Sequence, residues 1–222
     1  MRAAYIRGDK EITMKFYGQF DPPVDKLLYE RYFPEKRGGL FVECGAAEGT
    51  LESSCKFFEE SMGWRGINIE ASPRLFRSLI ATRPTSFLNI NVALSSQNGT
   101  KIFQDIVSPA GHSDAEGSLD HCAAQRLSIL ARGWGFQPVE VKTVTYSGLM
   151  EAHAIQEVDL MVLDVEGHEL QVIEGMVGSR AIPKVMCVEY SYSGLKEIGS
   201  ALAGLGFKLD FTRFVNAYYS RD

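Results

Sequence analysis

The chain is short of positive charge: 23 lysines and arginines stand against 28 acids over 222 residues, a net of −5. Non-specific nucleic-acid binding needs a basic face, so a nucleic-acid partner is not expected. No apolar run approaches the roughly 18 residues of a membrane-spanning helix. The opening, MRAAYIRGDKEITMKF, lacks the apolar core of a secretory signal. Cysteine is scarce. Cys44, Cys55, Cys122 and Cys187 show neither a CxxC pair nor zinc-ligand spacing, and two fall in apolar runs where a thiol behaves as a small hydrophobe. The expectation is a reduced, cytoplasmic protein without thiolate-bound metal. Also missing are the Walker sequence GxxxxGK[ST] and the dinucleotide fingerprint GxGxxG, which removes a dedicated cradle for phosphates. No internal repeat or low-complexity tract occurs.

What remains is an ordinary globular composition, 45% hydrophobic, long enough for one domain over residues 1–222 with a full core. Its centre is FVECGAAEG. An apolar run (Leu40, Phe41, Val42) closes on Glu43, Gly45 and Gly49 follow, and a helical spacing of apolar residues begins (Leu51, Cys55, Phe58, Met62). Strand, glycine turn and helix in that order let backbone approach a ligand closely. GWRGINIE repeats the pattern with a strand ending on Glu70. Ser72-Pro73 then starts a helix whose core face is Leu75, Phe76, Leu79 and Ile80. SFLNINVAL reads as a third strand, and Asn98-Gly99 as a hairpin turn into KIFQDIV. Residues 108–120 form the longest polar loop, a candidate lid. A helix (His121 to Ala131) and the strand PVEVKTVTY follow. VDLMVLDVEGHE is a near-continuous apolar strand ending in Asp164, Glu166 and Gly167, and KVMCVEY is another, ending in Glu189. GFKLDFTRFVNAYYS closes the chain as two strands about a short turn. The alternation predicts an α/β fold: an open, mostly parallel sheet with helices on both faces and an antiparallel pair at one edge.

Ligands of such sheets sit outside the carboxyl ends of the strands, and four of these strands end in acids: Glu43, Glu70, Asp164 and Glu189. Crowded carboxylates repel unless a cation or a hydroxyl-rich ligand lies among them. An acid closing the second strand is placed to grip ribose hydroxyls. A cofactor with ribose but no pyrophosphate is S-adenosylmethionine (SAM), whose positive charges suit an acidic rim. Plainer readings stand beside this one. Gly45 and Gly49 could serve helix–strand packing alone, His168 could cap its own turn, and His121, His112 and His153 could be surface residues. Asp164, Glu166 and Glu189 also have the oxygen chemistry of a divalent-metal site, although no resident metal is expected.

FVECGAAEG, GWRGINIEASP, NVALS and VDLMVLDVEGHELQVIEGM together resemble the FkbM-type family of SAM-dependent methyltransferases, over roughly Phe16 to Tyr219. The flank FYGQF resembles the family's opening, with Gly18 in place of its serine, Pro22-Pro23 in place of a glycine and an acid, and Gln19 retained. The resemblance implies a Rossmann-like class I methyltransferase fold with seven strands in the order 3-2-1-4-5-7-6. It implies methyl transfer to a hydroxyl of a saccharide, sugar nucleotide or related natural product. For the cofactor it implies Glu43, Gly45, Ala46 and Gly49 along the methionine part, Gln19 in the covering flank (residues 1–35), Glu70 on the ribose, and Ala71, Asn91 and Val92 around the adenine. Asp164 would close the pocket beside the transferred methyl. For the proton of the acceptor hydroxyl, His168 and Glu166 are the first candidates, oriented by Asp164, with His121 as a rival. The acceptor is a small molecule, and a homodimer is left open. The rival functions are a SAM-binding module without catalysis, a metal-dependent O-methyltransferase and an NAD-dependent oxidoreductase.

Overall fold

The computed structural model describes residues 4–6, 11–108 and 115–222. In chain order the elements are β1 (Ala4–Ile6), β2 (Glu11–Thr13), α1 (Val24–Tyr32), β3 (Leu40–Cys44), α2 (Lys56–Met62), β4 (Arg65–Ile69), α3 (Pro73–Thr82), β5 (Leu88–Ile90) and β6 (Ala93–Leu94). They continue as β7 (Gly99–Val107), α4 (Ala123–Ala131), β8 (Gly135–Val144), α5 (Tyr146–Ala152), β9 (Leu160–Leu163), α6 (Glu169–Glu174), β10 (Val185–Glu189), α7 (Leu195–Ala203), β11 (Lys208–Arg213) and β12 (Asn216–Ser220).

Seven strands form the main sheet in the order β11-β12-β10-β9-β3-β4-β5. The pairings from β10 to β5 are parallel, and β12 runs antiparallel to both β10 and β11. Counted along the sheet's own strands this is 3-2-1-4-5-7-6, the order the family resemblance implies. Because side chains alternate across a strand, β3 feeds two cores. Leu40, Val42 and Cys44 pack with α5, α6 and α7, while Phe41 packs with α1, α2 and Trp64 on the opposite face. Trp64 is 3% exposed and donates its indole N–H to the Lys36 carbonyl at 2.9 Å, so it seals the start of β4. Among the described residues no helix is long and apolar enough to cross a membrane.

Three local expectations fail, each for a visible reason, and a fourth holds only in part. The third strand breaks at Asn91, whose side-chain amide donates to the carbonyls of Glu70 and Ala71 at 2.8 and 3.0 Å. β5 therefore stays in the main sheet, while β6 joins a second sheet of order β6-β8-β7. Asn98-Gly99 makes no hairpin with the preceding strand. Asn98 accepts from the Thr145 N–H at 2.9 Å, and β7 pairs antiparallel with β8, from Gly99 opposite Thr143 to Val107 opposite Gly135. The second helix begins at Lys56 rather than near Leu51, which is 69% exposed. The Ser53 hydroxyl accepts from Cys55 N–H at 3.4 Å and Lys56 N–H at 3.1 Å, which fixes the turn leading into the helix at that point. On α3 the buried face is narrower than expected, Leu75 and Leu79, with Ile80 46% exposed.

Candidate active site

Sheet register builds the site. Cys44 lies opposite both Ile69 and Leu163, and Val188 lies opposite Leu163. The next residue of each strand is therefore Gly45, Glu70, Asp164 or Glu189, and all four emerge side by side on one rim. Gly45 has φ +85, and a Cβ there would stand 1.7 Å from the Asp164 carbonyl oxygen. No side chain fits. The turn after β3 spends its donors on protein: Gly45 and Ala46 N–H go to the Ile69 carbonyl at 3.0 and 3.1 Å. Ala47 N–H goes to Glu70 at 2.8 Å. No row of free N–H groups is left to hold a phosphate, in keeping with the missing Walker sequence.

Two compartments meet at this rim, sharing Gly45 and Asp164 as walls. The first is a largely apolar, tight pocket of about 40 Å³, lined by Cys44, Ile69, Ala71, Val92, Leu94 and Phe103, with Glu70 as its buried acid. Glu70 is 5% exposed and accepts from Ser72 N–H at 2.7 Å, besides Ala47. Burial pushes its carboxyl up to about 7, against those two backbone donors. Each oxygen carries one donor and keeps lone-pair capacity for more.

The second compartment is walled by carboxylates: Glu48, Glu52, Glu116, Asp164, Glu166 and Glu189, with Gln19, Phe20 and Tyr192. No lysine, arginine or histidine lines it among the described residues. Asp164, Glu166 and Glu189 bring oxygens within 4.8 Å of one another. Desolvation and mutual repulsion lift all three, although Glu166 and Glu189 are only half-buried and Asp164 keeps an exposed surface. Glu166 rises to about 9, with Asp164 and Glu116 adding to the effect, and Asp164 stands well above its ordinary range, with Glu189 adding. Such a trio could hold a divalent cation or face a cationic ligand. Six described non-glycine residues have positive φ, and four of them (Phe20, Ala47, Glu52, Glu166) line this compartment. Backbone strain of that kind concentrates at functional sites.

The remaining candidates fall elsewhere. The Glu43 side chain lies on the opposite face of β3 from Cys44 and lines neither compartment. It accepts from Ser53 Oγ at 2.9 Å, Cys55 N–H at 3.1 Å and Arg83 at 3.4 Å, and Arg83 is itself 2% exposed. Gly49 sits under α3, where a Cβ would meet Leu79 at 2.6 Å and Arg83 at 2.8 Å, so it serves packing. Ala46 is buried and Asn91 braces the 70–71 backbone; neither lines the cleft. His121 shares a hydrogen bond of 2.6 Å with the Glu116 carbonyl and packs on Phe136, outside both compartments. His168 does wall the apolar compartment, but both ring nitrogens are engaged: Nδ1 by Asp120 at 2.5 Å and Nε2 by Ser95 at 3.0 Å. Of the predicted lid, residues 109–114 lie outside the described residues, His112 among them, while Ala115, Glu116, Gly117 and Leu119 wall the cleft. Phe103, Glu116 and Tyr192 were not among the sequence candidates. They arrive from the β7–β8 arm and from loops, and no local pattern marks them.

Comparison with known proteins gives this cleft a context. The Methyltransferase FkbM domain profile matches residues 43–209. No curated protein matches the sequence significantly. Among solved structures, an FkbM methyltransferase from Methylobacillus flagellatus KT superposes with a TM-score of 0.50 at 13% identity, over 88% of this chain and 47% of that one. This chain thus spans about half the length of that protein. A Methanococcus jannaschii fibrillarin pre-rRNA processing protein gives 0.51 at 13% identity, over 99% of this chain and 82% of its own. Aeropyrum pernix fibrillarin, with natively bound S-adenosyl-L-methionine, gives 0.50 at 12%, over 90% and 74%. These likenesses speak to the fold. With the profile covering Glu43 to Leu209, the chain belongs to the FkbM family of SAM-dependent methyltransferases.

Proposed function

We propose that this cleft transfers a methyl group from SAM to a hydroxyl of a small, uncharged or amine-bearing acceptor of the saccharide type. One observation carries the reading: an apolar compartment with a buried acid at its wall adjoins, along Gly45, Ala115 and Asp164, a compartment lined by carboxylates. The residues fit the cofactor. Glu70 has acceptor capacity for a vicinal diol, Ala71 and Val92 offer apolar surface to a purine, and the acids beyond Gly45 suit a sulfonium and an ammonium. SAM supplies an electrophilic methyl carbon. The chain's part is alignment of the acceptor oxygen with that carbon, together with removal of the hydroxyl proton.

The acids are better placed for that proton than the histidines. Glu189 faces the carboxylate-lined half and is pushed up to about 7, by burial and then by Glu166. A base near the working pH combines ionisation with driving force. Asp164 and Glu166 then orient the hydroxyl. This wall of acids offers a phosphate no cationic partner among its described residues, so it disfavours a sugar nucleotide or an RNA acceptor. A second reading, in which a divalent cation on Asp164, Glu166 and Glu189 orients the hydroxyl, is favoured by their 4.8 Å spacing.

Calorimetry with SAM, its demethylated product and NAD is the first test. The expected result is binding of the first two and none of NAD; NAD binding without SAM would end the proposal. Transfer of labelled methyl to neutral, amino and phosphorylated sugars then sorts the acceptor, with the phosphorylated set expected to be inert. Loss of turnover in EDTA and recovery with magnesium would select the metal-assisted reading.

A further inference from the structure

Asp120, His168 and Ser95 form a hydrogen-bonded row that nothing in the proposed reaction uses. His168 is 2% exposed, with Asp120 Oδ2 at 2.5 Å from Nδ1 and Ser95 Oγ at 3.0 Å from Nε2. A carboxylate only accepts, so Nδ1 carries the proton and Nε2 accepts from the serine hydroxyl. The order matches that of a serine hydrolase, but the surroundings do not. Ser95 is 1% exposed, so no acyl group reaches its oxygen, and its N–H is spent on the Val144 carbonyl at 2.9 Å.

The three residues instead join three walls of the apolar compartment. Ser95 directly follows β6, whose Ala93 and Leu94 line that compartment, and His168 closes the turn begun by Asp164 and Val165. Asp120 ends the segment 115–120, which supplies Ala115, Gly117 and Leu119. Two further contacts fasten that segment: Ser118 pairs with Gln104 of β7 at 2.9 and 3.3 Å, and its hydroxyl donates to the Val165 carbonyl at 3.3 Å. Asp120 supplies the charged contact, and its side chain is 47% exposed, so the fastening lies within reach of solvent.

We propose that His168 is a positioning residue: by joining Asp120 to Ser95 it clamps the 115–120 segment across the apolar compartment and sets the closed width in which the adenosyl group is held. The clamp is a statement about the protein alone; its effect on the donor rests on the function proposed above.

The test uses the full chain with Asp120→Ala, Asp120→Asn and Ser95→Ala, and two independent readouts. Asp120→Ala should speed amide hydrogen exchange over residues 115–122 by about tenfold and weaken SAM binding about tenfold, the cost of one charge-assisted hydrogen bond. Asp120→Asn keeps an acceptor for Nδ1–H and should bring both back to within about twofold of the parent. Ser95→Ala should loosen the same amides without altering Asp120. In the parent, nitrogen NMR of His168 should report the Nδ1–H tautomer. Unchanged exchange in Asp120→Ala overturns the clamp, and so does weakened SAM binding with unchanged exchange, which would mark Asp120 as a charge effect only. A loss in Asp120→Asn equal to that in Asp120→Ala also overturns it. Should the parent fail to bind SAM, the proposed function falls, while the exchange result still decides the clamp.

Discussion

Glu70 and Glu43 are both acids near strand ends, yet they live in different chemistry. Glu70 follows β4 on the rim and keeps acceptor capacity beside an apolar wall, while Glu43 turns to the far face and is consumed by Ser53, Cys55 and Arg83. Glu70→Gln should therefore weaken SAM binding by about 1.5–3 kcal/mol, the range for hydrogen bonds to a charged group. Calorimetry at constant pH reads this directly, and an unchanged dissociation constant would remove Glu70 from the site. Gly45→Ala is the companion experiment. Its Cβ would stand 1.7 Å from a backbone oxygen at φ +85, which only movement of β3 against β9 relieves. Loss of soluble, cooperatively folding protein is the expected result, seen as an early and broadened urea transition. Residue identity at these positions was legible from sequence because a glycine or an acid ending an apolar run has few places to go. Which face Glu43 takes was not legible. β3 is buried on both faces, so alternation offers no polar side to calibrate against.

At the scale of elements, the helix α3 and the strand β3 are joined through Arg83, which is 2% exposed, 2.5 Å from Glu59 and 3.4 Å from Glu43. Removing one member of a buried ion pair leaves the other desolvated and unpaired, a loss of about 3–5 kcal/mol. Arg83→Ala should show it in urea denaturation. Glu43→Gln should cost less, because burial already pushes that carboxyl upward and a neutral amide still accepts from Ser53. The main sheet was readable because each strand is a short apolar run followed by a helical period, and that pattern is local. The β7–β8 arm was not. Its partners, Gly99 and Thr143, lie far apart in sequence, and Asn98-Gly99 carries a hairpin signature that the Thr145 contact redirects. The same reason hid Phe103 and the Ser95–His168–Asp120 row: a contact between distant segments leaves no periodic trace in either.

For the whole molecule, the acids of the cleft tie stability to pH, and the sign follows from their shifts. Glu70, at about 7, and Glu166, at about 9, both stand above the ordinary 4.5, so the folded chain keeps protons that the unfolded chain releases. Their contribution is complete below about 4.5 and is lost as pH rises through 7 and then 9. Asp159 and Glu60 are held below their ordinary range and so act only at the acid end. The ligand-free protein should thus melt at progressively lower temperature from pH 6 to pH 9, and Glu166→Gln should flatten the upper half of that profile. A cation entering the carboxylate-lined compartment reverses the balance by favouring the ionised acids. SAM binding at pH 8 should therefore release protons, seen as binding heats that differ between phosphate and Tris buffers in proportion to their ionisation heats. The demethylated product, whose sulfur is neutral, should release fewer. Equal heats in both buffers for SAM would mean that its sulfonium does not face Asp164, Glu166 and Glu189, and the acceptor's proton would then need another destination.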